Sequence, residues 1–150
     1  MLGIDRSQPA LNLAIRSAEL NGLANLCEFR QARAFDAMER LSAIPEQFEL
    51  VISDPPAFIK SRKDLKAGGR GYRKMVRLAA TLVAPGGLLF VASCSHHMVV
   101  DLFAEQVRRG LRAAGREGRI LHSGGAGPDH PVHPHLPEST YLKFQLLQLD

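Results

Sequence analysis

The chain has 150 residues, 45% of them apolar, which is enough for one domain with a buried core. Its apolar runs are far shorter than the roughly 20 residues that span a bilayer, and its two cysteines are too few for a disulfide framework. A helical membrane span and a disulfide-rich secreted module are therefore excluded. We expect a single domain over residues 1–150, located in the cytoplasm, with no membrane partner.

The first segment predicts a strand followed by a helix. The strand ends at Asp5, Ser7 is suited to cap the helix, and Gly22 is suited to end it. A carboxylate between a strand and a helix is typical of sites that bind both hydroxyls of a ribose. Asp5 could also serve only to favour the positive end of the helix dipole, and the sequence alone leaves both roles open.

The next segment leads to the strand on which the predicted site depends. The elements before Asp54 are predicted as a strand, a helix and a short apolar strand, over residues 26–30, 35–41 and 48–53. The last of these predicts a strand buried on both faces of a parallel sheet. Pro55 and Pro56 then force the backbone out of the sheet in an extended shape. Asp54 is thereby fixed at the carboxyl end of a central strand, where open α/β sheets bind their ligands.

A strongly basic segment follows. Residues 60–77 hold eight basic residues and one acidic residue, a net charge of +7, whereas the rest of the chain holds 11 basic and 14 acidic residues. Because a solvated helix face usually carries both signs, this segment predicts a phosphate-rich partner. Within it, residues 59–68 predict an irregular stretch, Gly69 or Gly71 a break, and residues 72–83 a helix.

The remaining segments continue the alternation of strands and helices. Residues 88–92 predict a second buried strand, which runs into Ser-Cys-Ser-His-His at 93–97. A helix over residues 97–114 and strands over residues 119–122 and 141–149 follow. Together these elements predict an α/β fold with a largely parallel sheet.

The ends of two predicted strands place Asp54 and Cys94 at the same edge of that sheet. One crevice would then hold a carboxylate that hydrogen-bonds a polar ring and a thiol that acts as a nucleophile once ionised. His96, His97 and the positive end of the following helix would favour the thiolate. A lone cysteine is most often a small buried hydrophobe, but the serines on both sides argue against full burial of Cys94.

Seven short motifs occur in a fixed order along the chain. They are Asp5 before its helix, Asp-Pro-Pro-Ala-Phe at 54–58, Arg-Gly-Tyr at 70–72, Ala-Pro-Gly-Gly at 84–87, Ser-Cys-Ser-His-His at 93–97, Asp-His-Pro-Val at 129–132 and Pro-Glu-x-x-Tyr-Leu-Lys at 137–143. This set resembles the class I S-adenosylmethionine-dependent methyltransferases, and within them the bacterial 23S ribosomal RNA 5-methylcytosine methyltransferases, which carry an N-terminal PUA domain. The resemblance implies a Rossmann-like methyltransferase sheet, mostly parallel with an antiparallel C-terminal strand, S-adenosylmethionine as cofactor and ribosomal RNA as partner.

The resemblance also implies a role for each matching residue. Cys94 would add as a thiolate to carbon 6 of cytosine, and Asp54 would hydrogen-bond the edge of the activated ring. Carbon 5 would then take the methyl group and lose its proton as the enzyme is released. The cofactor would be bound by Asp5, Arg33, Ala34 and Asp54, and the RNA by Pro55, Phe58, Lys60, Arg70, Tyr72 and Arg73. Tyr72 is expected to stack on a base, and Phe58 to line either the base pocket or the core.

Two features depart from the family's pattern. The family's first strand and Gly-rich cofactor loop are not found, so we expect a partial domain that lacks a strand between those ending at Asp5 and Asp54. The two exposed edges would then pair with each other or with a second copy of the chain, giving a homodimer. Arg33 also stands where an acid often meets the adenine amino group, and arginine has no acceptor to offer.

Other interpretations of the sequence stay open. An Asp-Pro-Pro-aromatic loop also serves methyltransferases that act on exocyclic amines, which need no cysteine. Alternatively, the chain binds RNA or dimerises without catalysis. A metal site could be read from Asp129, His130, His133 and His135. Because the prolines of that loop do not hold these ligands on one helix face, we expect no metal site.

Overall fold

The computed structural model describes residues 1–44 and 46–150. These residues form two compact units, Met1–Pro45 and Glu46–Asp150, which we call the N-terminal and C-terminal units. The described strands form two sheets, one in each unit. The expectation of a single domain stays a prediction.

The N-terminal unit contains a strand, a helix and a second strand and helix: β1 (Leu2–Asp5), α1 (Gln8–Leu20), β2 (Glu28–Gln31) and α2 (Ala34–Ser42). The two strands pair in parallel, with Asp5 opposite Gln31. Ser7 caps α1 by accepting a hydrogen bond from the Ala10 N–H at 3.4 Å. Gly22 follows the helix with a φ of +68°, a conformation that glycine adopts without a Cβ penalty. The predicted start and end of α1 are therefore confirmed.

The C-terminal unit contains four strands and two helices among its described residues: β3 (Phe48–Ser53), α3 (Leu65–Thr81), β4 (Val83–Ser93), α4 (Val100–Ala114), β5 (Gly118–Gly124) and β6 (Lys143–Leu149). The strand order is β3-β4-β6-β5. Strands β3 and β4 are parallel, whereas β6 is antiparallel to both β4 and β5. Every strand of this sheet except β6 thus runs in the same direction, as expected. The carboxyl ends of β3 and β4 lie side by side.

The core of this unit lies between the sheet and α3, which packs against β3, β4 and α4. Tyr72 of α3 is fully buried, with its ring centroid 5.9 Å from that of Phe103 in an edge-to-face arrangement. A Cβ on Gly110 would lie 2.6 Å from the Val76 side chain. The two helices can cross this closely because one of them carries only hydrogen at the contact.

The prediction that β3 is buried on both faces is wrong. Leu50 and Ile52 point to the same face, and 47% and 65% of their surface is exposed. Val51, on the opposite face, is half-buried. The reason is that β3 lies at the edge of its sheet and α3 covers only one of its faces.

The predicted boundaries around α3 are also wrong. The helix begins at Leu65, within the stretch predicted as irregular, and Gly69 and Gly71 lie inside it rather than breaking it. After the helix, β4 begins at Val83 and runs through Pro85, Gly86 and Gly87, where its register with β3 shifts. Tertiary packing and a strand irregularity thus accommodate glycines that local propensity assigns to breaks.

The strand ending at Asp5 and the strand ending before Asp54 each pair within their own unit. Among the described residues, β1 pairs with β2, and β3 pairs with β4. Pairing of the two remaining edges, directly or with a second copy, stays a prediction.

Candidate active site

Two loops meet at the carboxyl edge of the β3–β4 pair. The first, residues 54–59, follows β3, and the second, residues 94–98, follows β4. The Cys94 thiol, which is half-buried, donates a weak hydrogen bond to the Pro55 carbonyl, with 3.7 Å between the sulfur and the oxygen. The prediction that these two strand ends come together is therefore confirmed.

A chain of buried hydroxyl groups connects the two loops to α3. Ser93 donates to the Tyr72 hydroxyl at 2.8 Å, and the Tyr72 and Ser95 hydroxyls form a second hydrogen bond, also of 2.8 Å. Ser95 Oγ additionally accepts from the Ile59 N–H at 3.2 Å. All three hydroxyl-bearing residues are fully buried, so these bonds are shielded from water. The network fixes the backbone on either side of Cys94 relative to the loop after Asp54.

The structure contradicts the expected role of Tyr72. Its ring is buried and its hydroxyl is engaged by two serines, so it is not available to stack on a base. Because α3 begins seven residues before Tyr72, the residue lies within the helix and faces the core. Phe58 packs on it with ring centroids 4.8 Å apart, which supports the core role for Phe58. Cys94 itself is only half-buried, as expected, although both flanking serines are buried.

Lys143 belongs to this site and was not predicted from the sequence. It is the first residue of β6, lies opposite Ser93 and is only 7% exposed. Its ammonium donates to the carbonyls of Ser95 at 2.7 Å and Met98 at 2.6 Å. Burial lowers the pKa of Lys143 below its usual value, and negative charge on Cys94 opposes this lowering. The sequence feature that could have revealed it is that Lys143 is the one charged residue in a strand of otherwise uncharged residues.

The basic segment forms the start of α3 and the turn before it. Its one acid, Asp64, accepts hydrogen bonds from the Ser61 N–H and hydroxyl at 3.0 and 2.8 Å and so caps this turn. Six of its cations are exposed: Lys60, Arg62, Lys63, Lys66, Arg70 and Lys74. Arg73 is half-buried and donates to Gln106 at 3.2 Å, so part of its hydrogen-bonding capacity is used within the protein. Like charges four residues apart destabilise a helix. A function therefore explains this row of exposed cations better than helix stability does.

In the N-terminal unit, the predicted cofactor residues lie at the ends of its two strands. Asp5 is exposed, and its Oδ1 accepts from the Ser7 N–H at 2.6 Å. Arg33 occupies the position just before α2, whose first residue is Ala34, makes no side-chain capping hydrogen bond, and has a side chain that is 80% exposed. The guanidinium lies 3.9 Å from the carboxylate of Asp36. These residues form an exposed, polar edge.

The sequence matches a known family over most of its length. Residues 1–125 match the family described as methyltransferase domain. The chain belongs to this family. The expected Rossmann-like methyltransferase fold is confirmed, because a methyltransferase solved in complex with SAH superposes on 98% of this chain with a TM-score of 0.80 at 20% identity. The chain covers 38% of that structure.

Two curated relatives of this methyltransferase domain share more of its sequence. The ribosomal RNA large subunit methyltransferase I of Pseudoalteromonas atlantica is 40% identical over 93% of the chain, and that of Erwinia tasmaniensis is 36% identical over 95%. In both cases the chain spans 36% of the length of the relative. The methyltransferase resemblance is therefore confirmed for this domain.

The described residues of the methyltransferase domain show neither a metal cluster nor a membrane-spanning helix. Across residues 1–44 and 46–150, no three His, Cys, Asp or Glu side chains are grouped so that they could hold a metal ion. The ring of His130 contacts Tyr141, and His133 contacts His135. In the same described residues, no helix has the length and apolar character needed to cross a membrane. Location in the cytoplasm stays a prediction.

Proposed function

We propose that this methyltransferase domain forms 5-methylcytosine in ribosomal RNA, with S-adenosylmethionine as methyl donor and Cys94 as covalent nucleophile. The observation that supports this most directly is the contact between the Cys94 thiol and the Pro55 carbonyl. It brings a cysteine to the loop whose first residue, Asp54, is an exposed carboxylate. A nucleophile and a hydrogen-bonding group for a polar ring are the two parts that this chemistry needs.

The polar edge of the N-terminal unit fits the cofactor in part. The exposed carboxylate of Asp5 is a suitable acceptor for the two hydroxyls of a ribose. Arg33 does not fit the adenine amino group, because a guanidinium offers donors only, and the nearby Asp36 carboxylate faces Arg33. When bound, S-adenosylmethionine supplies an electrophilic methyl group. The residues of this chain orient and activate the cytosine that accepts this methyl group.

The role of Cys94 follows from the weak nucleophilicity of carbon 5 in cytosine. The Cys94 thiolate forms a carbon–sulfur bond at carbon 6, and the electron pair of the 5,6 double bond moves towards carbon 5. Asp54 accepts a hydrogen bond from the exocyclic amine and orients the ring. After carbon 5 has been methylated, loss of its proton restores the double bond, and the carbon–sulfur bond breaks to free Cys94.

The proposed RNA contact is the exposed basic row at the start of α3. Lys66 and Arg70 lie one helical turn apart on the solvent side, and Lys60 follows the Asp54 loop directly. Backbone phosphates bind such rows largely through charge, so this contact would position the RNA without reading its sequence. Ribosomal RNA is the proposed substrate because the curated relatives named above are ribosomal RNA large subunit methyltransferases.

The product distinguishes this function from its alternatives. Unmodified large-subunit ribosomal RNA would be incubated with the chain and S-adenosylmethionine, then digested and analysed by mass spectrometry of the nucleosides. We expect 5-methylcytosine from the parent chain, loss of at least about a hundredfold in Cys94→Ala, and little change in Cys27→Ala. An unchanged yield in Cys94→Ala would contradict the covalent mechanism.

A second candidate is methylation of an exocyclic amine. It is favoured by the exposed carboxylate of Asp54 at the head of the Asp-Pro-Pro-Ala-Phe loop, because that reaction needs an acceptor for the amine and no cysteine. In that case the product would be an N-methylated base and would persist in Cys94→Ala. If no methylated nucleoside formed but the RNA bound, the non-catalytic interpretation would be supported instead.

A further inference from the structure

The Lys143 ammonium closes the turn from Ser95 to Met98, which directly follows Cys94. The Met98 N–H already bonds the Ser95 carbonyl at 3.0 Å, which forms the turn. Lys143 reaches in from β6 and bonds both that carbonyl and the carbonyl of Met98. One buried cation thereby ties the first and last residues of the turn to the neighbouring strand.

A buried cation at this place needs an explanation, because removing an ammonium from water is costly. The other residues of β6 are uncharged, and its buried face continues with Gln145, Leu147 and Leu149. Two backbone carbonyls alone could be satisfied by neutral donors. Lys143 lies opposite Ser93 and bonds the Ser95 carbonyl, so its charge is held beside the backbone on both sides of Cys94. Negative charge on Cys94 would favour the protonated lysine, in agreement with this placement.

We propose that Lys143 is a positioning residue for the Cys94 nucleophile: it holds the 94–98 loop by two hydrogen bonds and stabilises the Cys94 thiolate by its charge. The proposal rests on the nucleophilic role of Cys94 in the proposed function. Lys143 keeps its proton throughout: the thiol proton leaves to solvent, and the hydrogen bond from the thiol to Pro55 is given up on ionisation. Thiolate and ammonium then attract each other in a partly desolvated setting.

Other titratable groups at this edge are the exposed carboxylate of Asp54, on the loop that Cys94 contacts through Pro55, and two histidines on the Cys94 loop itself. His96 is exposed, and His97 is half-buried with its ring centroid 5.4 Å from that of His96. Both follow Cys94 on the same loop, whereas Lys143 approaches from a different strand. A variant of Lys143 therefore changes the charge next to Cys94 without altering the loop sequence.

The test measures thiol reactivity, which requires neither RNA nor cofactor. In the Cys27→Ala chain, where Cys94 is the one remaining thiol, the rate of alkylation by iodoacetamide would be measured from about pH 7 to pH 10. We expect Lys143→Met to slow alkylation about three- to tenfold near pH 7 and by less than about twofold near pH 10, where thiols are ionised regardless. Lys143→Arg, which keeps the charge, should stay within about twofold at both values.

Equal slowing across the whole pH range would indicate altered access to the turn and would overturn the electrostatic role, as would an unchanged rate in Lys143→Met. Thermal unfolding of each variant shows whether it is folded. If Lys143→Met does not fold, the alkylation rates of the two cysteines are compared in the parent chain instead. The ratio of the rate near pH 7 to that near pH 10 must be at least about threefold larger for Cys94 than for the half-buried Cys27.

Failure of this proposal is distinguishable from failure of the proposed function. If alkylation depends on Lys143 as expected but Cys94→Ala still methylates RNA, the charge effect stands and the nucleophilic role of Cys94 is overturned. If Cys94→Ala is inactive but alkylation is indifferent to Lys143, the positioning role alone is overturned.

Discussion

The two units hold their predicted site residues in different ways. In the C-terminal unit, the loop bearing Cys94 is fixed by buried hydroxyls and by the Lys143 ammonium. In the N-terminal unit, Asp5 and Arg33 are exposed at the edge of a two-stranded sheet. Two-stranded sheets are marginally stable by themselves in water. The proposed catalytic loop is therefore pre-organised by buried hydrogen bonds, whereas the proposed cofactor residues make exposed contacts for which water competes.

The largest effect that would break this pre-organisation is expected at Gly68. A Cβ there would lie 2.3 Å from the Ile59 side chain and 2.8 Å from the Phe58 carbonyl, so the Asp54 loop could not stay against α3. We expect Gly68→Ala to lower the free energy of unfolding by about 3 kcal/mol, measured by urea denaturation.

The matched control for Gly68 is the next residue. A Cβ on Gly69 would meet Gln106 at 3.7 Å, an ordinary contact, and alanine is favoured over glycine in a helix interior. Gly69→Ala should therefore be neutral or stabilising by about 0.5–1 kcal/mol. Similar losses in both variants would show that the loop does not depend on the close approach at Gly68.

The next effect concerns the hydroxyl of Tyr72. Tyr72→Phe keeps the ring but leaves the Ser93 and Ser95 hydroxyls without this partner inside the protein. We expect the free energy of unfolding to fall by about 1–3 kcal/mol and the 94–98 loop to be cleaved faster by proteases. Tyr141→Phe, at a half-buried position, should change stability by less than about 0.5 kcal/mol. If the Tyr72→Phe chain were as stable as the parent, the hydroxyl network would not be what holds the Cys94 loop.

The meeting of the loops that follow β3 and β4 could be predicted from the sequence because it follows from general rules. Two short apolar strands joined by one crossover are neighbours in a parallel sheet, so their carboxyl ends coincide. The cap at Ser7 and the left-handed glycine at 22 follow from equally local chemistry. The identity of these elements, and the edge at which the site lies, required no tertiary information.

Other features depend on contacts that no local pattern records. The glycines near residue 70 were predicted to break a helix. The structure shows a different reason for one of them: position 68 has no room for a Cβ, because Ile59 packs against it from a loop nine residues earlier in the chain. With the start of α3 predicted too late, Tyr72 fell at an exposed helix end rather than in the core. Lys143 pairs with a turn more than 40 residues away, so its role became visible only when β6 was placed beside β4.

The pH dependence of stability tests whether the Lys143 ammonium is buried and coupled to the charge of Cys94. Burial lowers its pKa in the folded state, so between that value and the usual 10.5 the unfolded chain binds more protons than the folded chain. The free energy of unfolding should therefore rise with pH as the pH increases through this window. Lys143→Met should lack this rise, and Cys94→Ala should show a steeper one because the opposing negative charge is gone. A difference between the parent and Lys143→Met that does not vary with pH would contradict this coupling.

The smallest effect on stability is expected at Asp5, and it separates the two roles left open for that residue. In Asp5→Asn the side-chain oxygen can still accept from the Ser7 N–H, so the free energy of unfolding should change by less than about 0.5 kcal/mol. If the carboxylate binds ribose hydroxyls, calorimetric titration with S-adenosylmethionine should show an affinity lowered about tenfold. Asp36→Asn, at the start of α2, should leave the affinity within about twofold if the guanidinium of Arg33 prevents Asp36 from replacing the missing acid. A stability loss in Asp5→Asn with unchanged affinity would assign Asp5 to the helix end, and the exposed edge of the N-terminal unit would then lack its proposed cofactor ligand.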